Sequence, residues 1–351
     1  MTDIKSKIRH IQNAIPVVFA ADNNYAPYMS VALQSILENA SPNRKYIFFV
    51  LYMKIEDEWI QMLTKQIAPY QQFFIEFINV SDIMSKYDLY VSRHITPETY
   101  IRFFIPELLQ EYDKVIYLDC DMVVCVDIAE LFDIDMENYA LAAMRDICVA
   151  NYACAPEKAG KVRKSRNALP FLKNPFDYFC AGLCVFNIAL IRKMMSYEKL
   201  FEIAMSNEWD FHDQDVLNLA FEGKTLLLSY YWGFYHAPKH IEYLPNALKK
   251  EYFDAMKSPN IVHFTNKPWK NGHYIFHHWL FWKYATRTPF IDLIVERMDV
   301  LLISANQSLK EKIIEAVLRR KLGIRFILFT CVKALLRRDK KGASVKKLEI
   351  L

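Results

Sequence analysis

KVIYLDCDMVVCVD, residues 114–127, is the stretch on which the reading of this chain turns. Val115–Leu118 is a short apolar, β-rich run and reads as a buried strand. It ends in Asp119-Cys120-Asp121. In extended backbone, residues two apart face the same side, so both carboxylates can address one cleft. Carboxylates that close repel each other, and burying them is costly unless a cation lies between them. In open α/β sheets ligands gather just beyond the carboxyl ends of strands, which is where this pair falls. The pair therefore predicts a divalent-metal site. The ordinary alternative is an Asp119 that caps a turn and an Asp121 in solvent. An isolated Asp-x-Asp is common enough that other stretches have to decide.

Working outward, the amino-terminal side alternates strands and helices. Residues 16–21 (PVVFAA) read as a first strand, followed by the polar cluster Asp22-Asn23-Asn24-Tyr25 and a helix over about 27–38. A second strand over 46–51, a helix over 56–66 and a third strand over 73–79 continue the pattern. That alternation predicts an α/β sheet with parallel neighbours. Asp22–Asn24 would face the same cleft as Asp119 and Asp121, although Asx residues also serve as loop and helix caps. Thr96-Pro97-Glu98 reads as the opening of a helix through about Leu109, with Arg102 amid apolar neighbours. An arginine there more commonly pairs with a carboxylate or snorkels than touches a ligand.

On the carboxyl side, 140–144 reads as a short strand. Residues 147–177 show little periodicity and carry six Lys/Arg, as a lid or binding loop would. FCAGLCVFNI, residues 179–188, reads as a strand in which Gly182 permits close backbone approach and Cys180 and Cys184 are core thiols. HDQDVLNLAF, residues 212–221, opens polar and becomes an amphipathic helix. Asp213 is its natural N-cap, and Gln214 and Asp215 stand where backbone N–H groups favour negative ligands. His263 lies on the short strand 261–264, where a histidine is ordinarily a satisfied core residue. Helices are expected over 274–285 and 289–304.

Composition bounds the function. The chain has 351 residues, is 53% hydrophobic and 15% aromatic, and can bury a large core. With seven glycines and no GxGxxG or GxxxxGK[ST], it is not expected to cradle phosphates in a glycine loop, so a metal and side chains would have to supply the charge. Seven cysteines without CxxC spacing point to a reducing compartment, and the amino terminus has no apolar core of a signal peptide. From Lys310 to Glu349 thirteen Lys/Arg stand against four Asp/Glu, whereas the whole chain is only +4, so the body is mildly acidic. The tail's apolar face ringed by basic residues suits an interfacial helix attracted to anionic lipids, or an amphipathic helix docked on the domain. The acidic body and that apolar face argue against nucleic acid.

Four separated pieces, FAADNNYAPYMSVALQSIL, KVIYLDCDMVV, FHDQDVLNLAF and VHFTNKPW, resemble the signature series of glycosyltransferase family 8 and stand in its order. That family includes bacterial lipopolysaccharide galactosyl- and glucosyltransferases and, more distantly, glycogenin. The resemblance implies a GT-A (Rossmann-like) α/β fold over residues 1–285, and the basic, apolar pattern of the tail adds the expectation of a helical membrane-association region over 286–351. It implies a UDP-hexose donor, Mn2+ with Mg2+ as an alternative, and transfer with retention to a lipopolysaccharide, other glycolipid or oligosaccharide acceptor. Asp119, Asp121 and His263 resemble the metal ligands. Asp22, Asn24 and Tyr25 resemble the uridine contacts, with Ala20 and Cys120 lining the same pocket. Arg102 matches the arginine that reaches the donor sugar, Asp213 the residue holding sugar hydroxyls, Gln214 the amide near the anomeric carbon, and Lys267 the lysine on the diphosphate. Gln214 is an amide and a poor nucleophile, which favours front-face attack by the acceptor over a covalent intermediate on Asp213. With a membrane-embedded glycolipid as acceptor, the basic, apolar tail from about Lys310 onward is expected to hold the enzyme at the inner face of the cytoplasmic membrane.

Two positions depart from the pattern. Cys180 stands where related bacterial galactosyltransferases have asparagine before Ala-Gly, so one polar sugar contact is missing or replaced. Only Phe-Thr-Asn separates His263 from Lys267, shorter than the family's usual glycine-containing loop.

Overall fold

The computed structural model describes residues 2–5, 8–92, 96–158, 167–270 and 276–298. Contacts group the chain into two units, Met1–Thr265 and Asn266–Leu351. Nine strands belong to the described part of the first unit: β1 (Ala14–Ala20), β2 (Lys45–Tyr52), β3 (Phe73–Asn79), β4 (Lys114–Leu118), β5 (Met122–Val124), β6 (Leu141–Arg145), β7 (Phe179–Asn187), β8 (Thr225–Leu228) and β9 (Ile261–His263). Seven of them form one sheet in the order β3-β2-β1-β4-β7-β6-β8, and β5 and β9 form a second, two-stranded sheet.

The predicted alternation holds where its periodicity is strong. β1, β2 and β3 are linked by the helices Ala26–Asn39 and Asp57–Ile67 and pair in parallel, and β4 adds in parallel to the other side of β1. The order therefore reverses between β1 and β4, the switch point at which α/β sheets open a ligand crevice. β7 departs from the expectation of parallel neighbours: it runs antiparallel to both β4 and β6. A parallel partner for β4 would need a crossover, whereas β7 enters the sheet from the carboxyl end of β4, with Leu118 opposite Leu183. That direction brings Ala181 and Gly182 beside Asp119, whose N–H donates to the Gly182 carbonyl at 2.7 Å.

The helix predicted from Thr96 to Leu109 is a 3-10 helix over Pro97–Phe104 followed by one α-helical turn, Ile105–Leu108. Pro106 has no N–H to give to the Arg102 carbonyl, and the N–H of Ile105 takes that carbonyl with the tighter spacing instead. The segment read as irregular contains the helix Ile147–Ala153, whose first turn is capped by Asp146 accepting from the Val149 N–H at 2.9 Å. Seven residues are too few to show a period. Residues 159–166, with most of the basic residues of this segment, lie outside the described residues.

The core lies on both sheet faces. Phe48, Phe49, Tyr100, Phe103 and Phe104 are fully buried, and Phe201 stacks on Tyr87 with ring centroids 3.8 Å apart. Each such ring contributes about 2–3 kcal/mol by leaving water. In the second unit the helices His278–Ala285 and Ile291–Glu296 are described, and Trp269 packs on Phe281 at 5.1 Å. The outer ends of the predicted helices, 274–275 and 299–304, and the basic tail lie outside the described residues. Among the described residues no helix is long and apolar enough to cross a membrane.

Candidate active site

β4 delivers Asp119 and Asp121 to the crevice, and the short sheet of β5 and β9 brings in the third donor. Met122 pairs with His263 across that sheet, and the Phe264 N–H donates to the Asp121 carbonyl at 2.9 Å. The pairing fixes a histidine more than 140 positions away in sequence against the aspartates. His263 Nε2 lies 3.2 Å from Asp121 Oδ1 and 3.9 Å from Asp119 Oδ2. One donor atom from each of the three residues lies within 4.8 Å of the others. Two hard oxygens and an imidazole suit Mn2+, with Mg2+ as the harder alternative.

Gly182 keeps this space open. A Cβ there would stand 2.6 Å from His263 Cε1 and 2.8 Å from Asp119 Oδ2, closer than real Cβ atoms come. The residues present therefore fit a divalent cation, with Asp119, Asp121 and His263 as its ligands.

Arg102 is buried behind these carboxylates, and each nitrogen of its guanidinium has a partner. Nη2 reaches Asp119 Oδ1 at 3.0 Å, Nε reaches Asp213 Oδ2 and the Thr99 carbonyl, each at 3.0 Å, and Nη1 donates to the Ala181 carbonyl at 2.5 Å. Its plane lies over the Tyr117 ring at 4.1 Å, and the Tyr117 hydroxyl donates to Asp119 Oδ1 at 2.9 Å. Burial alone would lower the guanidinium pKa, but Asp213, Tyr117 and Asp119 raise it on balance. Asp213, itself buried, is pushed up to about 6 by burial, against the opposing pull of Arg102 and the hydrogen bond donated by the Thr99 hydroxyl. Asp213 is thus held by Arg102 and Thr99, and Phe211 occupies the N-cap position that the sequence offers to Asp213. Gln214 accepts from the Ala181 N–H at 3.0 Å through Oε1 and donates to the Tyr178 hydroxyl at 3.3 Å through Nε2.

At the end of β1, Asp22 folds its carboxylate into its own loop. Oδ1 accepts from the Asn24 and Tyr25 N–H groups at 3.0 and 2.8 Å, and Oδ2 accepts from Asn24 Nδ2 at 2.8 Å. The Cys120 thiol donates to the Ala20 carbonyl at 3.2 Å, joining the tips of β1 and β4 at the switch point. Burial and the neighbouring carboxylates of Asp119, Asp121 and Asp22 push that thiol well above its usual range. Lys267 is in the second unit, half-buried in the turn after β9, where its carbonyl accepts from the Lys270 N–H at 3.0 Å.

Several residues of this site carry no clear mark in the sequence. Thr99 and Tyr117 are visible only as neighbours of Arg102 and Asp119 at helical and strand spacing. Asp146, buried, caps its helix and accepts from the Cys180 thiol at 3.6 Å, a pairing that needs β7 to be in place. Asp215 is wholly buried, accepting from the Phe211 N–H at 2.8 Å and from the Tyr178 hydroxyl.

The chain is similar to Glycosyltransferase GlyA of Streptococcus pneumoniae serotype 4, with 29% identity over 261 residues, covering 73% of this chain and 32% of GlyA. Among solved structures, the apo WbbM bifunctional glycosyltransferase is similar at a TM-score of 0.70 and 27% identity, over 83% of this chain and 53% of that one. The galactosyltransferase LgtC, solved with donor and acceptor sugar analogues, shares the fold at a TM-score of 0.61 and 24% identity, over 78% of this chain and 96% of that one. The chain thus spans about a third of GlyA and about half of WbbM. These neighbours have the GT-A fold, and the sheet order and switch point described above are those of that fold. The family model for glycosyl transferase family 8 matches residues 16–272, and the chain belongs to that family.

Proposed function

We propose that the chain is a retaining, metal-dependent hexosyltransferase that moves galactose or glucose from a UDP-sugar to an oligosaccharide or glycolipid acceptor, with lipopolysaccharide as the leading class. The observation that carries this reading is the convergence of Asp119, Asp121 and His263 donor atoms at the β1/β4 switch point. A divalent cation held there supplies positive charge to a diphosphate leaving group. Asp22, Asn24, Tyr25, Ala20 and Cys120 take the uridine, and Lys267 is the residue we assign to the diphosphate. Asp213 orients the sugar hydroxyls, and Gln214 lends its dipole beside the anomeric carbon. The bond from that carbon to the phosphate oxygen breaks, and its electron pair leaves with UDP. The acceptor hydroxyl closes the new bond from the same face and gives its proton to the departing phosphate. With its amide already engaged by Ala181 and Tyr178, Gln214 supports charge rather than attacking.

The proposed domain plan is a catalytic region over residues 1–285 and a membrane-association region over 286–351, most of which lies outside the described residues. Its basic, apolar sequence would hold the enzyme on the inner face of the cytoplasmic membrane. Removal of residues from Lys310 onward should then release the protein from anionic vesicles, and unchanged partitioning would refute the anchor.

Incubation with Mn2+, Mg2+ or chelator and a panel of UDP-sugars, with and without glycolipid, tests the central reading through UDP release. Release should require the metal, and Asp121→Asn should abolish it while the far-UV spectrum stays unchanged. Metal-independent release would remove the metal from the reading, and neither release nor donor binding would leave a non-catalytic glycan- or nucleotide-sugar-binding scaffold as the better description.

A further inference from the structure

Four consecutive residues at the start of the helix His212–Ala220 each hold another part of the chain. Asp213 holds Thr99 and Arg102, Gln214 holds Ala181 and Tyr178, and Asp215 holds Phe211 and Tyr178. His212, the first of the four, has the left-handed backbone angle φ 51° and no solvent exposure. That conformation costs a non-glycine residue about 1 kcal/mol or more, so the surroundings must enforce it. Its side chain shows how. The Ser92 N–H donates to His212 Nε2 at 3.0 Å, so Nε2 carries no proton and the ring is neutral. The ring lies parallel to Tyr90 at 5.8 Å and edge-on to Tyr100 at 6.3 Å. Tyr100 ties the same segment down a second time, its hydroxyl donating to the Tyr90 carbonyl at 3.0 Å. Tyr100 also lies on the 3-10 helix that carries Thr99 and Arg102. The chain pieces that clasp the ring at 212 are thus continuous with those that hold the carboxylate at 213.

We propose that His212 is a positioning residue of the transfer reaction, acting through Asp213 and Gln214. This rests on the hexosyltransferase reading. By accepting from Ser92 and packing between the two tyrosines, the imidazole pins the left-handed residue that sets the direction of the helix start. Asp213 and Gln214 leave that residue toward Arg102 and Ala181 respectively. Without the acceptor at 212 the backbone relaxes toward the right-handed region, and the two side chains lose alignment with the donor sugar while the metal ligands stay in place.

The test compares His212→Leu, which removes the acceptor, with His212→Gln, whose amide oxygen can occupy the place of Nε2. UDP release from UDP-galactose and UDP-glucose with Mn2+ is measured as kcat and KM, alongside thermal unfolding. His212→Leu should lower kcat about tenfold to a hundredfold and leave KM for the donor within about threefold, as misalignment of reacting groups does. His212→Gln should restore kcat to within about threefold of the parent. An unchanged kcat in the leucine variant, an equal loss in both variants, or a loss confined to KM overturns the proposal. If His212→Leu does not fold, His212→Asn replaces it: asparagine accepts the left-handed backbone, but its shorter amide does not reach the Ser92 N–H. Asparagine should then lose kcat where glutamine keeps it, and equal behaviour of the two amides overturns the proposal. Donor turnover in the parent with undiminished variants refutes this inference alone, whereas no donor turnover in the parent refutes the hexosyltransferase reading with it.

Discussion

Arg102 Nε lies 3.0 Å from Asp213 Oδ2, with both side chains nearly out of solvent. The same guanidinium reaches Asp119 Oδ1 at 3.0 Å, so one cation joins the carboxylate proposed as a metal ligand to the carboxylate proposed for the sugar. These three residues lie on three separate elements, a 3-10 helix, the end of β4 and the start of a late helix. Arg102 therefore ties the two halves of the candidate site together before any ligand arrives.

Its removal should be felt first in folding. Arg102→Gln leaves Asp213 and Asp119 without their shared cation in a poorly solvated place, and breaking a buried pair costs about 3–5 kcal/mol. Arg102→Lys keeps the charge but not the fork that serves Asp119, Asp213 and the Ala181 carbonyl together, so it should fall between the two. Urea unfolding of the three proteins measures this. A glutamine variant within about 0.5 kcal/mol of the parent would show that the bridge does not hold the site.

Asp213 gives a pH signature with opposite signs for stability and activity. Its carboxyl is raised from the ordinary 3.8 to about 6, so between those values the folded protein binds a proton that the unfolded chain does not. This group's contribution to stability is then greatest below about pH 4 and declines as pH rises toward 6. Activity should move the other way, because only the ionised carboxylate pairs with Arg102, and it should fall as pH drops through about 6. Unfolding of the metal-free protein and of Asp213→Asn between pH 4 and 7 isolates the stability slope. The parent should lose stability relative to the variant as pH rises. A difference independent of pH would mean that Asp213 titrates normally.

Much of this arrangement was legible from residue spacing, and the rest fails for identifiable reasons. Val115–Leu118 announces a buried strand, and the carboxylates of Asp119 and Asp121 do converge beyond its end, but through a turn at Cys120–Asp121 and not through the extended alternation expected. His263 looks like a core histidine on local evidence. What makes it a neighbour of Asp121 is the pairing of β5 with β9, strands of three residues each that are too short to carry a pattern. Arg102 reads as a charge in apolar company, but its partners Asp213 and Ala181 are 111 and 79 positions away. The antiparallel entry of β7, which brings Ala181 and Gly182 to Asp119, is a property of topology that a uniform apolar run does not encode. His212 illustrates the remaining limit, since its left-handed backbone depends on Ser92, Tyr90 and Tyr100 and leaves no trace in its own neighbourhood of sequence.

Cys120 should be chemically quiet despite its place between two site aspartates. Only the thiolate reacts readily, and burial together with Asp119, Asp121 and Asp22 opposes its formation. Its thiol is also committed to the Ala20 carbonyl. Cys154, by contrast, is exposed. Alkylation of the native protein followed by peptide mass spectrometry should modify Cys154 at least about tenfold faster than Cys120, the ratio collapsing in denaturant. Equal rates in the native state would mean that the β1–β4 junction opens readily.

Gly182→Ala is the most direct challenge to the metal centre, because it adds one methyl group and removes no donor. The new Cβ would stand 2.6 and 3.1 Å from the His263 ring and 2.8 Å from Asp119 Oδ2, so at least one of these side chains must withdraw. Neither has slack. Asp119 is held by Arg102 and Tyr117, and His263 by its strand pairing and by the hydrogen bond from its N–H to the Phe234 carbonyl at 2.8 Å. The backbone of β7 accepts alanine, since Gly182 is not among the residues with positive φ. The variant should therefore fold with a loss of about 1–3 kcal/mol while binding Mn2+ about 10–100-fold more weakly, the range typical when the surroundings of metal ligands are disturbed. Titration of Mn2+ by calorimetry, with circular dichroism as the control for folding, measures both. Parental Mn2+ affinity in a folded Gly182→Ala protein would mean that the ion, if bound at all, is not held by Asp119 and His263.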